Sequence, residues 1–411
     1  MKSSIVYNLF HEYYCRDFYL DGFPNKMSMR EFGFALFSEG VVVRHKRFET
    51  FDELKAFLEA NVPADAYYSC AYYEHPDFEM ERKGWLGADL IFDIDADHIP
   101  TACDRIHEEW ACVNCKFEGK GITPEKCPIC GSEKFDVKTW PCENCLASAK
   151  EETMKLLDFL IFDFGFSKDE IRLFFSGNRG YHIHVEGEAI QELDTMARKE
   201  IVDYISGMGL DVTFHAPVIR KTRKDVEIGK DAKFSSFGWS QRLLKGVQIF
   251  LASAKEEDLE RIGLKEETAE IIMQNKDVLL KGLVELGVLS TPRGVGAGTW
   301  LRIMKHAAGL QSAKIDTVVT TDVHRLIRLP NTLNSKTGFK KAEVPISEID
   351  KFDPFKEALA FKSGTITVKV SSAPKFRIGD QTFGPYKNRK VELPTAAALL
   401  LICRERAEVI E

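Results

Sequence analysis

The sequence predicts a mixed-sheet α/β (α+β) core that carries an inserted metal-binding module and an inserted helical lobe. Three observations predict it. Short apolar runs with strand-like character recur before residue 101 and again after residues 147 and 291. Seven of the ten cysteines crowd between Cys103 and Cys145, and residues 235–290 are mostly helical in pattern with a charged outer face. A chain of 411 residues exceeds one small core, and its 44% apolar content is ample to bury two or three domains.

Residues 1–101 form the first part of the core. A helix over "FHEYYCRDFYL" opens it, followed by a strand pair, "EFGFALF" and "GVVVRHKRF", about Glu39 and Gly40. The helix "FDELKAFLEA", the strand "AYYSCAYY" and a strand over 90–96 complete it. The cysteine-rich insertion, residues 102–146, interrupts the core with several Gly and Pro. Residues 147–234 resume it: a helix beginning "LASAKEETMKLLDFLIFDFGF", two apolar runs about a glycine turn in "IRLFFSGNRGYHIHVEG", and the helix "LDTMARKEIVDYISGMG". Residues 235–290 form the helical lobe, with "KEEDLERIGLKEETAEII" as its solvated face, and residues 291–411 return to strands and turns before a final helix from about 394. No internal repeat is present.

The net charge of −7 excludes a uniformly basic surface, so any nucleic-acid contact must come from local patches. One such patch is the basic run 220–233, "RKTRKDVEIGKDAK", which could track a phosphate backbone or form a solvated loop. The apolar stretch 395–402 falls short of the roughly 20 residues a spanning helix needs, and "MKSSIVYNLF" lacks a signal-like apolar region. The expectation is a cytoplasmic protein with no membrane contact.

The stretch "LIFDIDADH", residues 90–98, places Asp93, Asp95 and Asp97 at alternate positions of an apolar strand. Alternation turns Leu90, Phe92, Ile94 and Ala96 to one face and the acids to the other. Carboxylates two residues apart sit about 6.6 Å apart at the backbone and can converge on two hard cations, Mg2+ or Mn2+. The alternatives are a hydrated acidic edge strand, or the nucleophilic aspartate of a haloacid-dehalogenase-type phosphatase. Against the latter, Ala96-Asp97 stands where Gly-Thr or Gly-Val is usual.

"SGNRGYHIHV", residues 176–185, follows the apolar run "IRLFF". Its two glycines, Gly177 and Gly180, allow close backbone approach to an anion, Arg179 can fork onto phosphate oxygens, and His182 can add a hydrogen bond. A plain hairpin turn with one exposed arginine is the alternative.

Taken together, D-I-D on a strand and S-G-x-R-G-x-H further along resemble the catalytic small subunit of archaeal and eukaryotic DNA primases. The resemblance spans most of the chain: "REFGFALF" and "VVVRHKRF" look like that family's first strands, and "IDTVVTTDVHRLIRLPNTLNSKTG", residues 315–338, like its third motif. It implies a primase catalytic core in which Asp93, Asp95 and Asp316 hold a pair of Mg2+ or Mn2+ ions. It also implies that Ser176, Gly177, Arg179, His182, Arg328, Lys336 and Arg44 bind the nucleotide. The chain departs from many relatives at Asn178, where a second arginine is common, and at Asn334, where histidine is.

Three C-x-x-C pairs, 112/115, 127/130 and 142/145, with Cys103 and His107 upstream, favour Zn2+ over disulfides in a chain without a secretory signal. By the resemblance, Cys103, His107, Cys142 and Cys145 form the family's structural zinc knuckle. That leaves Cys112, Cys115, Cys127 and Cys130 as a nested zinc ribbon and a second Zn2+ site. A single zinc held by four of the six paired cysteines is the competing arrangement.

The resemblance implies a nucleotidyltransferase that makes short RNA primers, or DNA, from NTPs or dNTPs on single-stranded DNA, in a heterodimer with a primase large subunit. A repair or translesion polymerase of the same superfamily, and a non-catalytic zinc-ribbon binding module, are the other functions considered.

Overall fold

The apolar runs pair into two four-stranded antiparallel sheets in the computed structural model, which describes residues 4–20, 24–37, 42–103, 106–217, 219–221, 226–228 and 233–410. In the first sheet the strands lie in the order Leu326–Arg328, Asp65–Ser69, Phe32–Ala35, Val42–Lys46. In the second the order is Ala342–Val344, Ile171–Phe175, Gly180–Val185, Leu90–Asp95. The fold is the α/β (α+β) class that the sequence predicts, but every strand pairing among the described residues is antiparallel, so these sheets are not of mixed direction.

The run "AYYSCAYY" does not continue as one strand. It breaks at Cys70, and Asp65–Ser69 joins the first sheet while Ala71–Tyr73 pairs with Trp85–Ala88. Arg30 sits at the break: its guanidinium, fully buried, donates to the carbonyls of Ser69 (2.8 Å) and Cys70 (3.2 Å), and the backbone of Cys70 passes from Arg325 to Asp89, one ladder to the next. The same guanidinium pairs with Asp89 at 2.6 Å, and Tyr72 Oη donates to the other oxygen of that carboxylate at 2.6 Å. Removing one partner of a buried pair strands the other charge, so Asp89→Ala is expected to cost about 3–5 kcal/mol, read by denaturant unfolding.

The cysteine-rich insertion forms a three-stranded sheet, Glu118–Lys120, Glu109–Cys112, Phe135–Lys138. Its apolar filling is small, with Trp110 between Phe117 and Phe135, so it needs another source of stability. Toward the C-terminus, strands Tyr386–Pro394, Thr365–Ala373 and Ala407–Val409 form a sheet, and all nine residues of the helix Thr395–Cys403 are buried.

The chain divides into two compact units. Everything above belongs to the first, made of Met1–Thr153, Ser167–Lys199 and Ile315–Glu411. The second, Met154–Phe166 with Glu200–Lys314, is largely helical; helices Gly238–Ser253 and Ala297–Gln311 supply Leu243, Val247, Trp300, Ile303 and Met304 to its core. The side chains of the basic run 220–233, Lys233 excepted, lie outside the described residues. Among the described residues no helix is long and apolar enough to cross a membrane.

Candidate active site

The aspartate strand Leu90–Asp95 and the strand Gly180–Val185 pair so that Asp93 lies opposite His182 and Asp95 opposite Gly180. Directly opposed residues share a face, and His182 Nε2 comes within 3.5 Å of an Asp93 carboxylate oxygen. Gly180 is obligatory, because a Cβ there would collide with the carbonyl oxygen of Ile94. The two strands can therefore meet at the point where the acids emerge.

Asp316 arrives from far along the chain. Its backbone N–H donates to the carbonyl of Asp93 at 2.8 Å, while its carboxylate caps the short helix Thr317–Thr321 by accepting from Val318 (2.9 Å) and Val319 (3.4 Å). The charges reinforce one another. Burial first, then Asp95 and Asp316, push the Asp93 carboxyl up to about 7; Arg325 and Lys341 act in the opposite sense. Asp97 leaves this face: it lies in the turn beyond the strand, where its N–H bonds Asp95 and its carboxylate pairs with Arg179.

The loop Ser176–Gly180 is folded in on itself. Ser176 Oγ accepts from the amides of Asn178 (3.3 Å) and Gly180 (3.2 Å), and Gly177 takes the left-handed conformation (φ +80°) that turns the chain. Thr337 Oγ1 donates to the Gly177 carbonyl at 2.5 Å, which draws the third sequence motif onto this loop.

The basic residues of the expected nucleotide site are placed unequally. Arg179 is buried and turned onto two acids, Asp97 and Glu108, with its Nε left without a hydrogen-bond partner. Arg328 pairs with Asp65 at 2.6 Å, and Ser335 Oγ donates to the second oxygen of Asp65 at 2.7 Å. Arg44 pairs with Glu31 at 3.0 Å, and Lys336 is exposed. His182 is buried, and burial first, then Lys341, Arg328 and Arg325, hold its imidazole neutral, well below the usual histidine range.

Sequence reasoning missed Lys341 and Arg325. Lys341 is fully buried, donating to the Arg328 carbonyl at 2.8 Å and lying 3.2 Å from His184 Nε2, whose other ring nitrogen meets Tyr68 Oη at 2.9 Å. It directly precedes the strand Ala342–Val344, after "SKTGFK", a context that looks like an exposed turn, and its partners Arg328 and His184 lie on two other strands. Arg325 follows His324, and the ring of His324 stacks on Tyr73.

The eight cysteine and histidine side chains gather into two groups of four, Cys103/His107/Cys142/Cys145 and Cys112/Cys115/Cys127/Cys130, each with its ligand atoms within 4.8 Å of one another. In the first group Cys103 Sγ lies 3.8 Å from Cys142 and 3.5 Å from Cys145, and His107 Nε2 lies 3.1 Å from Cys142. In the second, Cys112–Cys130 and Cys115–Cys127 are 3.5 and 3.6 Å apart. Four thiolates about 2.3 Å from one ion sit about 3.8 Å apart, so both groups suit a tetrahedral metal.

The description "DNA primase small subunit" belongs to the family model that matches residues 136–346. The DNA primase small subunit PriS of Nitrosopumilus maritimus is 32% identical over 401 residues, covering 97% of this chain and 96% of the relative. Its counterparts in Methanothrix thermoacetophila (33%, covering 96% of both chains) and Archaeoglobus fulgidus (34%, covering 96% of this chain and 95% of the relative) are similar throughout. With Asp316 hydrogen-bonded to Asp93 and Thr337 to Gly177, and with likeness along nearly its whole length, the chain belongs to the DNA primase small subunit family.

Proposed function

We propose that the chain is the catalytic subunit of a primase, starting RNA chains, or DNA chains, on single-stranded DNA by nucleotidyl transfer. The observation that carries this is the hydrogen bond from Asp316 N–H to the Asp93 carbonyl, which brings a third acid close enough for its charge to act on Asp93 beside Asp95. Burial and two like charges, which favour the proton on Asp93, call for a hard divalent cation with oxygen ligands. Asp93, Asp95 and Asp316 would hold Mg2+ or Mn2+, which when bound lowers the pKa of the attacking 3′-hydroxyl and neutralises the departing pyrophosphate. His182, neutral and beside Asp93, would hydrogen-bond the nucleotide's phosphates. The 3′-hydroxyl releases its proton to water, its oxygen bonds to the α-phosphorus, the bond from that phosphorus to the bridging oxygen breaks, and pyrophosphate leaves.

The test is metal-dependent incorporation of labelled NTP, and separately dNTP, on unprimed single-stranded DNA, with and without a primase large subunit as the expected partner. Products that start de novo support the reading; extension of supplied primers only would favour a repair or translesion role instead.

The elevated Asp93 value sets a pH dependence. A divalent ion must displace the Asp93 proton, so Mn2+ affinity is expected to rise roughly tenfold per pH unit up to about pH 7 and then level. The metal-free chain behaves oppositely: the raised value contributes stability that is complete below 3.8 and is lost as pH rises through about 7. Calorimetric Mn2+ titrations at several pH values, with melting curves of the apo chain, check both signs.

Both cysteine groups are proposed to hold structural Zn2+. In the ribbon Cys115 and Cys130 are exposed. Cys115→Ser is therefore expected to halve the zinc content, from two ions to one, while shifting the main melting transition by no more than about 2 °C, since few core contacts depend on it.

A further inference from the structure

Arg404 stands at the end of the buried helix Thr395–Cys403, and that helix delivers its guanidinium to the glycine loop. One Nη donates to Asn178 Oδ1 at 2.5 Å and the other to Thr139 Oγ1 at 3.0 Å. Both acceptors are uncharged, and its Nε is buried with no hydrogen-bond partner, as is the Nε of Arg179. Helix-end arginines commonly serve the helix dipole from the surface, but this one is turned inward onto two uncharged acceptors. Burial first, then Arg179, push its pKa down to about 10, while Asp95 and Glu108 act the other way. A desolvated guanidinium with neutral partners lacks an anion, and an orphaned buried N–H lacks an acceptor.

We propose that Arg404 is a nucleotide-binding residue whose guanidinium, at the loop Ser176–Gly180, takes the polyphosphate of a nucleoside triphosphate, with Asn178 as its holder. This rests on the polymerase reading above and adds a residue to it. Arginine suits the task because its planar donor edge engages two phosphate oxygens at once. Asn178 does its part through the carboxamide oxygen, which keeps the guanidinium at the loop without neutralising it.

The experiment compares the full chain with Arg404→Gln, Arg404→Lys and Asn178→Ala by anisotropy of a fluorescent ATP analogue in Mn2+, and by steady-state incorporation across a range of ATP concentrations. Arg404→Gln is expected to raise both the Kd and the KM for ATP by about tenfold or more, with a smaller loss in kcat. Asn178→Ala should show a lesser rise, and Arg404→Lys should recover part of the affinity by restoring charge. A Kd for Arg404→Gln within about twofold of the parent, or a loss confined to kcat, overturns the proposal. If Arg404→Gln melts early, the Kd of the lysine variant decides: parental affinity in a chain that keeps only a point charge overturns the forked contact. A parent that binds ATP but synthesises nothing refutes the polymerase reading while leaving the Arg404 comparison intact; a parent that binds no ATP refutes both.

Discussion

Asp95→Ala is expected to lower primer synthesis by at least about a thousandfold, with the melting temperature within about 2 °C of the parent. The two halves of this result have separate causes. Asp95 is half-buried at the end of its strand, and its side chain accepts one weak hydrogen bond, from Asp97 N–H at 3.3 Å. Little packing is lost with it, and a like charge next to Asp93 disappears, so the fold gains relief where it loses a turn contact. The reaction has no such compensation. In the proposed reaction charge stabilisation around the transferring phosphoryl group would carry the rate, and a factor of a thousand corresponds to about 4 kcal/mol of it. The same chain should lose Mn2+ affinity, measured by calorimetry, in parallel with activity. Full synthesis by Asp95→Ala would remove the carboxylate cluster from the mechanism. Asp97→Asn should behave differently, since it withdraws a charge partner from buried Arg179 and acts through the loop.

Cys145→Ser is expected to lose one zinc per chain, destabilise the first unit by about 5 kcal/mol or more, and depress nucleotide incorporation along with it. Cys145 is fully buried in the first turn of the helix Glu143–Asp158, so its group anchors the insertion to the core, whereas the ribbon group has exposed thiols. Trp140, packed edge-on against Phe376, loses its setting with that anchor. The functional consequence runs through Glu108. That residue follows the ligand His107 directly, is buried, and pairs with Arg179 of the glycine loop. Releasing the knuckle frees Glu108, and Arg179 loses a carboxylate that fixes its position. Zinc quantitation, melting curves and the KM for ATP, measured together, separate this from the mild ribbon variant Cys115→Ser. Equal behaviour of the two variants would deny the knuckle its link to the loop.

Much of this molecule is legible locally. Alternation in "LIFDIDADH" marks a strand with acids on one face, the glycines of "SGNRG" mark a hairpin, and C-x-x-C spacing marks thiolate pairs, because each signal depends on backbone geometry within a few residues. The mixed α/β class follows from the same periodicities, and the order of motifs carries the family resemblance. The partners of charged side chains are set by other rules. No spacing tells that Arg328 meets Asp65, that Arg179 turns onto Glu108, that Lys341 is buried beneath Arg328, or that Arg404 reaches Asn178.

Local alternation, turn chemistry and cysteine spacing made most strands, the turns and the thiol pairs readable along the chain, though not the break of "AYYSCAYY" at Cys70, since these signals come from dihedral preference within a few residues. Only the tertiary structure decided which acid faces which base and that Asp316 lies against Asp93, because those pairings arise where distant segments cross and where burial makes an unpaired charge too costly to leave alone.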